Sequence, residues 1–130
     1  MAARSTLPVL GNVLLATDDS RLRLSATNLE LGISCWIGAK VHGEGSTTVP
    51  AKTFIDLVGT LPRETVDLNL TARTQTLQVS CAQFNNDIKC IDSQEFPILP
   101  SADEDQSLDL NVRDLKSMIE QVVFAAATDD

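Results

Sequence analysis

The residues able to do covalent or metal chemistry in this 130-residue chain are few and badly spaced for it. There are three cysteines, Cys35, Cys81 and Cys90, and one histidine, His42. None of the cysteines stands in a C-x-x-C pair, so zinc-binding and redox motifs both lack their spacing. The bland reading is thiols buried or half-buried in a reducing compartment. No Ser-His-Asp motif and no G-x-x-x-x-G-K-[ST] phosphate loop occurs. The 18 carboxylates include none in an apolar setting that would single out an acid/base pair, so they read as a solvated acidic face. No metal, no cofactor and no catalytic residue is expected.

What remains is charge. The formal net charge is −8, which at first sight argues against a nucleic-acid partner. The charge is uneven, however. Asp92, Glu95, Asp103, Glu104 and Asp105 are five of the 18 acids, and setting them aside leaves 13 acids against 10 bases. A local basic face is therefore compatible with the composition.

The elements that would position such residues centre on residues 46–62, STTVPAKTFIDLVGTLP. A short β-favouring piece runs into Pro50, which suits a strand end or the first turn of a helix. Phe54, Leu57, Val58 and Leu61 then fall at i, i+3, i+4 and i+7, one apolar face of a helix. Pro62 stops it. This strand-then-helix pattern recurs 61 residues later, at residues 107–122. There Leu115, Met118, Ile119 and Val122 take the places of the first helix's apolar residues, and residues 108–112 alternate as a strand does. Two copies suggest an internal repeat.

Around these units the chain reads mostly as short strands. Residues 9–17 are apolar. Residues 21–27 alternate, with Leu22, Leu24 and Ala26 on the inward side. Residues 29–41 form a longer strand with Leu31, Ile33, Cys35 and Ile37 on one face. Residues 65–71 point Val66, Leu68 and Leu70 inward, and residues 74–80 point Leu77 and Val79 inward. Residues 82–91 make a third strand, interrupted by Asn85-Asn86-Asp87. Residues 95–100 are extended, and residues 101–106 are an acidic linker. The order is β-β-β, then β-α-β-β-β, then β-α. This is an α+β architecture, with helices on one face of an antiparallel sheet. The composition, 43% hydrophobic and 22% charged, is that of a soluble domain with a real core. No signal-peptide h-region or 18-residue apolar run is present, so no membrane is expected and the location expected is cytoplasmic.

Four short motifs then carry a resemblance. They are Arg4-Ser5-Thr6-Leu7-Pro8-Val9-Leu10-Gly11-Asn12, Leu24-Ser25-Ala26-Thr27-Asn28-Leu29-Glu30, Gly45-Ser46-Thr47-Thr48-Val49-Pro50-Ala51-Lys52, and Glu95-Phe96-Pro97. In this order and at these separations, together with the βαβββ pattern, the chain resembles the bacterial sliding clamp, the beta subunit of the replicative DNA polymerase. The resemblance implies the DNA-clamp fold, built from βαβββ repeats. It implies that residues 1–100 are a first clamp domain without its leading strand and helix, and that residues 107–130 open a second domain. It implies a non-catalytic processivity factor whose subunits close head to tail around duplex DNA, with a DNA polymerase and a clamp loader as further partners. An alternative reading is a stand-alone clamp-like interaction module that does not encircle DNA.

The resemblance also implies site residues. Arg4 matches the family's DNA-contacting loop arginine, and Lys52 matches a position that is often basic. Arg63, Arg113 and Lys116 are DNA-contact candidates by position alone. The subunit interface would use the middle helix and the edge of the last strand, residues 83–88, with Phe84 and Ile88 as apolar candidates; core packing competes for Ile88. The spare strand and helix are expected to fill the vacant place in the first unit, so that the apolar face of the helix at residues 113–127 is buried there or on a neighbouring chain.

Overall fold

The computed structural model describes residues 8–100 and 104–126. It divides into two compact units, residues 1–99 and 100–130.

The described residues of the first unit hold seven strands and one α-helix. A 3₁₀ turn at Pro8–Gly11 leads into β1 (Asn12–Asp18), β2 (Arg21–Thr27), β3 (Gly32–Gly38) and β4 (Ser46–Pro50). Helix α1 (Ala51–Thr60) follows, then β5 (Val66–Thr71), β6 (Thr76–Cys81) and β7 (Phe84–Lys89). The strands make two antiparallel sheets, β3-β2-β1-β4 and β5-β6-β7.

The strand–helix junction forms as its residues dictate. Pro50 stands at the N-cap of α1, and the helix ends where the Leu61 N–H donates to the Val58 carbonyl. Phe54, Leu57 and Leu61 pack against a core of Leu15, Val49, Leu77, Val79, Ile88 and Cys90. Val49 and Val79 are fully buried. Val58, the fourth residue of the expected stripe, stays 42% exposed.

Several boundaries move for local reasons. The first strand begins three residues later than its apolar run, because Pro8–Gly11 winds as a turn. β3 is shorter than the run at 29–41. The Asn28 Oδ1 accepts the N–H groups of Glu30 and Leu31, and the Thr27 Oγ1 accepts that of Leu29. These bonds draw the chain into a turn and hold Leu29 at φ 78°. β7 runs unbroken through Asn85-Asn86-Asp87, whose partners on β6 are Ser80, Val79 and Gln78.

Opposite residues of an antiparallel pair share a face. Val13, Leu15, Leu22, Leu24, Ala26, Ile33, Cys35 and Ile37 therefore lie on one face of the first sheet. The β1/β4 half of that face packs into the core, together with Leu22 and Leu24 of β2. Ala26, Ile33, Cys35 and Ile37, read as inward-facing, are exposed. On the opposite face the segment after Cys90 crosses the sheet. Phe96 is buried, and Leu99 lies so close to Gly32 that a Cβ there would meet Leu99 Cδ2 at 3.0 Å. Ser25, read as outward, is buried on this side with its Oγ 2.7 Å from that of Ser34, and Thr27 is buried there as well.

The second unit contains a short 3₁₀ turn at Glu104–Gln106 and helix α2 (Val112–Val122), continued by a 3₁₀ turn at Val123–Ala125. Asn111 caps α2, its Oδ1 accepting from the N–H groups of Arg113 and Asp114. The strand expected at residues 108–112 is absent: residues 107–111 are irregular. Alternation alone does not make a strand without a ladder partner. Leu115, Met118, Ile119 and Val122 lie along one side of α2 and are all exposed, so the described residues of the second unit do not give this face the expected burial.

Candidate nucleic-acid interface

A surface that holds a duplex without reading its sequence needs basic side chains aimed at phosphates. Lys52 enters on the first turn of α1. It lies off the apolar stripe of Phe54, Leu57 and Leu61, and its side chain is 89% exposed. Its Nζ is 3.4 Å from Asp56 Oδ2, one turn along the same outward face. An exposed pair of this kind contributes little to stability, but the carboxylate offsets part of the local positive charge.

Arg63 is exposed in the loop that follows α1, next to Glu64. A ten-residue helix is about 15 Å long, so Lys52 and Arg63 mark its two ends and do not share one phosphate. In the second unit, Arg113 and Lys116 are one turn apart on α2. Both face away from the apolar side carrying Leu115, Met118, Ile119 and Val122. Arg4 lies outside the described residues.

The two interface candidates separate cleanly. Phe84 opens β7 and is 55% exposed. Ile88 is 5% exposed and belongs to the core, so it has no surface to offer a subunit. The strand period does not separate them, since Phe84 and Ile88 lie on one face of β7, opposite Cys81 and Leu77; Ile88 sits over the core, while Phe84 stands at the start of the strand outside it.

The structure also assembles groups that the sequence did not single out. Trp36 Nε1 donates to Asp18 Oδ2 at 2.8 Å, and the Arg21 guanidinium lies 5.5 Å from the Trp36 ring centroid. Arg21 also pairs with Asp18 at 3.6 Å. This cluster is on the strap-bearing face of the first sheet, opposite to α1. Its signal was the register Asp18↔Arg21 and Arg23↔Trp36, which only strand pairing reveals. Beside it, Arg23 Nε is buried without a hydrogen-bond partner. Among the described residues, no helix is long and apolar enough to cross a membrane.

Comparison with known proteins agrees with this architecture. The family described as "DNA polymerase III beta subunit, N-terminal domain" matches residues 1–100. The "Beta sliding clamp" of Staphylococcus epidermidis is 30% identical over 139 aligned residues, covering 100% of this chain and 36% of that protein. Among solved structures, the DNA polymerase III subunit beta from Pseudomonas aeruginosa superimposes with a TM-score of 0.81 at 28% identity, over 99% of this chain and 36% of its own. The sliding clamp from Caulobacter crescentus gives 0.81 at 26% identity, over 98% of this chain and 35% of its own. The chain thus spans just over a third of the length of the relatives it matches. With the family pattern covering its two sheets and α1, the chain belongs to the DNA polymerase III beta subunit family.

Proposed function

We propose that this chain forms part of a sliding clamp, a DNA polymerase processivity factor that encircles duplex DNA in bacterial replication. The supporting observation is that family match and fold likeness coincide over one continuous stretch, residues 1–100. On this reading the chain catalyses nothing and works in the cytoplasm. It holds duplex DNA by topology and by weak phosphate contacts from Arg4, Lys52, Arg63, Arg113 and Lys116. Its other partners are further clamp subunits, reached in part through Phe84, together with a DNA polymerase and a clamp loader. Residues 1–100 are the first clamp domain, residues 101–106 a linker, and residues 107–130 the opening of a second domain.

The test is a chimaera in which this chain replaces the matched third of the Pseudomonas aeruginosa subunit. Loaded onto nicked circular duplex, the chimaera should stay bound through gel filtration and be lost once the DNA is cut. A folded chimaera released equally from circle and line would overturn the reading.

A second reading is an interaction module that does not encircle DNA. The net charge of −8 and the uncovered apolar half of the first sheet favour it. It predicts no salt-dependent affinity of the chain for duplex DNA, whereas phosphate contacts make affinity fall with salt.

A further inference from the structure

The strap, residues 91–99, is tied to the first sheet at both ends. At β4 the Thr48–Ile91 bridge holds it, and Ser46 Oγ lies 2.8 Å from Ser93 Oγ. At β3, Leu99 rests on Gly32. Between these anchors a groove of about 560 Å³ opens between the strap and the sheet. Every residue lining it belongs to the first unit.

The register Leu14↔Ser25 and Ala16↔Arg23 puts these four side chains on the face that the strap crosses, where they line the groove. The strap adds Phe96, Pro97, Ile98 and Leu99. Two charged residues stand among this apolar surface. Arg23 comes from β2 and Glu44 from just before β4. They flank β1, whose Ala16 pairs with Arg23 on one side and Ser46 on the other.

Arg23 differs from the other cations near it in sequence or in kind. Arg21 has Asp18, and Lys52 has Asp56. Arg23 makes no hydrogen bond and no ion pair among the described residues, and its Nε is buried. A guanidinium withdrawn from water without an anion is destabilised. A carboxylate that reaches it gains a charge-assisted contact with fixed geometry.

The surroundings narrow the class of anion. Leu14, Ala16 and the strap offer hydrocarbon contact to an apolar body. Glu44 in the same groove disfavours a second negative charge, which argues against a polyphosphate or a nucleic acid. The anchors at β4 and β3 limit the groove to the span between them, which favours a small molecule over an extended chain.

We propose that the groove beneath the strap is a binding site for an apolar monocarboxylate, a medium-chain alkanoate, with its carboxylate on Arg23 and its hydrocarbon chain between Ala16, Leu14 and the strap. The site is complete within the first unit and does not depend on the assembly of a ring.

The experiment uses the whole chain and octanoate as the probe. Trp36 is the one tryptophan and stands opposite Arg23 in the β2/β3 ladder, so its fluorescence reports on the site. Octanoate should change that emission saturably. Octanol lacks the carboxylate, acetate lacks the chain, and octanedioate brings a second charge toward Glu44. Each should bind about tenfold more weakly or worse. Arg23→Gln should lose about tenfold or more in affinity with an unchanged circular dichroism spectrum. Ile98→Asp, at a position 96% exposed, leaves the fold alone and should also weaken octanoate by adding a negative charge beside the groove. Calorimetry on the chimaeric ring should return the affinity of the chain. The absence of a saturable change with octanoate overturns the proposal. So does equal binding of octanol or octanedioate, or wild-type affinity in folded Arg23→Gln or in Ile98→Asp. An affinity present in the chain and lost in the assembled ring overturns it as well.

Discussion

Thr48 and Ile91 exchange both backbone hydrogen bonds, each 3.1 Å, and the Thr48 Oγ1 donates to the Ile91 carbonyl at 2.7 Å. Through this one bridge the last residues before the strap are tied to the edge of the first sheet. The Thr48 hydroxyl also accepts from Asn12 Nδ2 at 3.0 Å, in a fully buried setting. Thr48→Val keeps the shape and removes the hydroxyl, leaving the Asn12 amide unpaired. It should destabilise the chain by about 1–3 kcal/mol. Urea unfolding would show this as a lower midpoint at unchanged slope.

The stripe on α1 is unequal, and substitution should expose the inequality. Leu57→Ala removes a side chain packed on the core and should cost about 2 kcal/mol, the low end of such changes because Leu57 is only half-buried. Val58→Ala, outside that contact, should cost about 0.5 kcal/mol. Equal losses in thermal unfolding would mean that α1 is rotated from its position here.

Lys52 and Asp56 should act oppositely on DNA. In the chimaeric ring, Lys52→Ala should weaken duplex binding uniformly across sequences and lower the salt slope by about 1. Asp56→Asn, which frees the Lys52 ammonium, should strengthen binding. Fluorescence anisotropy over a salt series reads both. A sequence-dependent loss in Lys52→Ala would contradict a phosphate contact.

Asn111 caps a helix whose apolar side lies in solvent. Asn111→Ala should lower the stability of α2 by about 1 kcal/mol, while Asn111→Asp should preserve it. Hydrogen exchange should report faster amides across α2 and no change in β6.

The part of this protein legible in its sequence is the part governed by local period and local sterics. The spacing of Phe54, Leu57 and Leu61 sets the buried side of α1, and Pro50 and Pro62 bracket it. The alternation in Arg21–Thr27 gives β2 with its observed ends. The grouping of Ile33, Cys35 and Ile37 on one face was equally readable, since side chains alternate along any strand. What covers a face is a different question, answered by residues far away in the chain. The strap of Phe96 and Leu99 buries Ser25 and Thr27, which alternation alone assigns to solvent. Among the described residues nothing closes over Ile33 and Ile37, although they are as apolar as the core. Residues 108–112 alternate like β2 and yet form no strand, because a strand exists only with its ladder. Ile88 belongs to the core and Phe84 to the surface although both lie on one face of β7, opposite Leu77 and Cys81. Their shared face was readable from the period, but which end of that face the core covers was decided by the packing of the sheet.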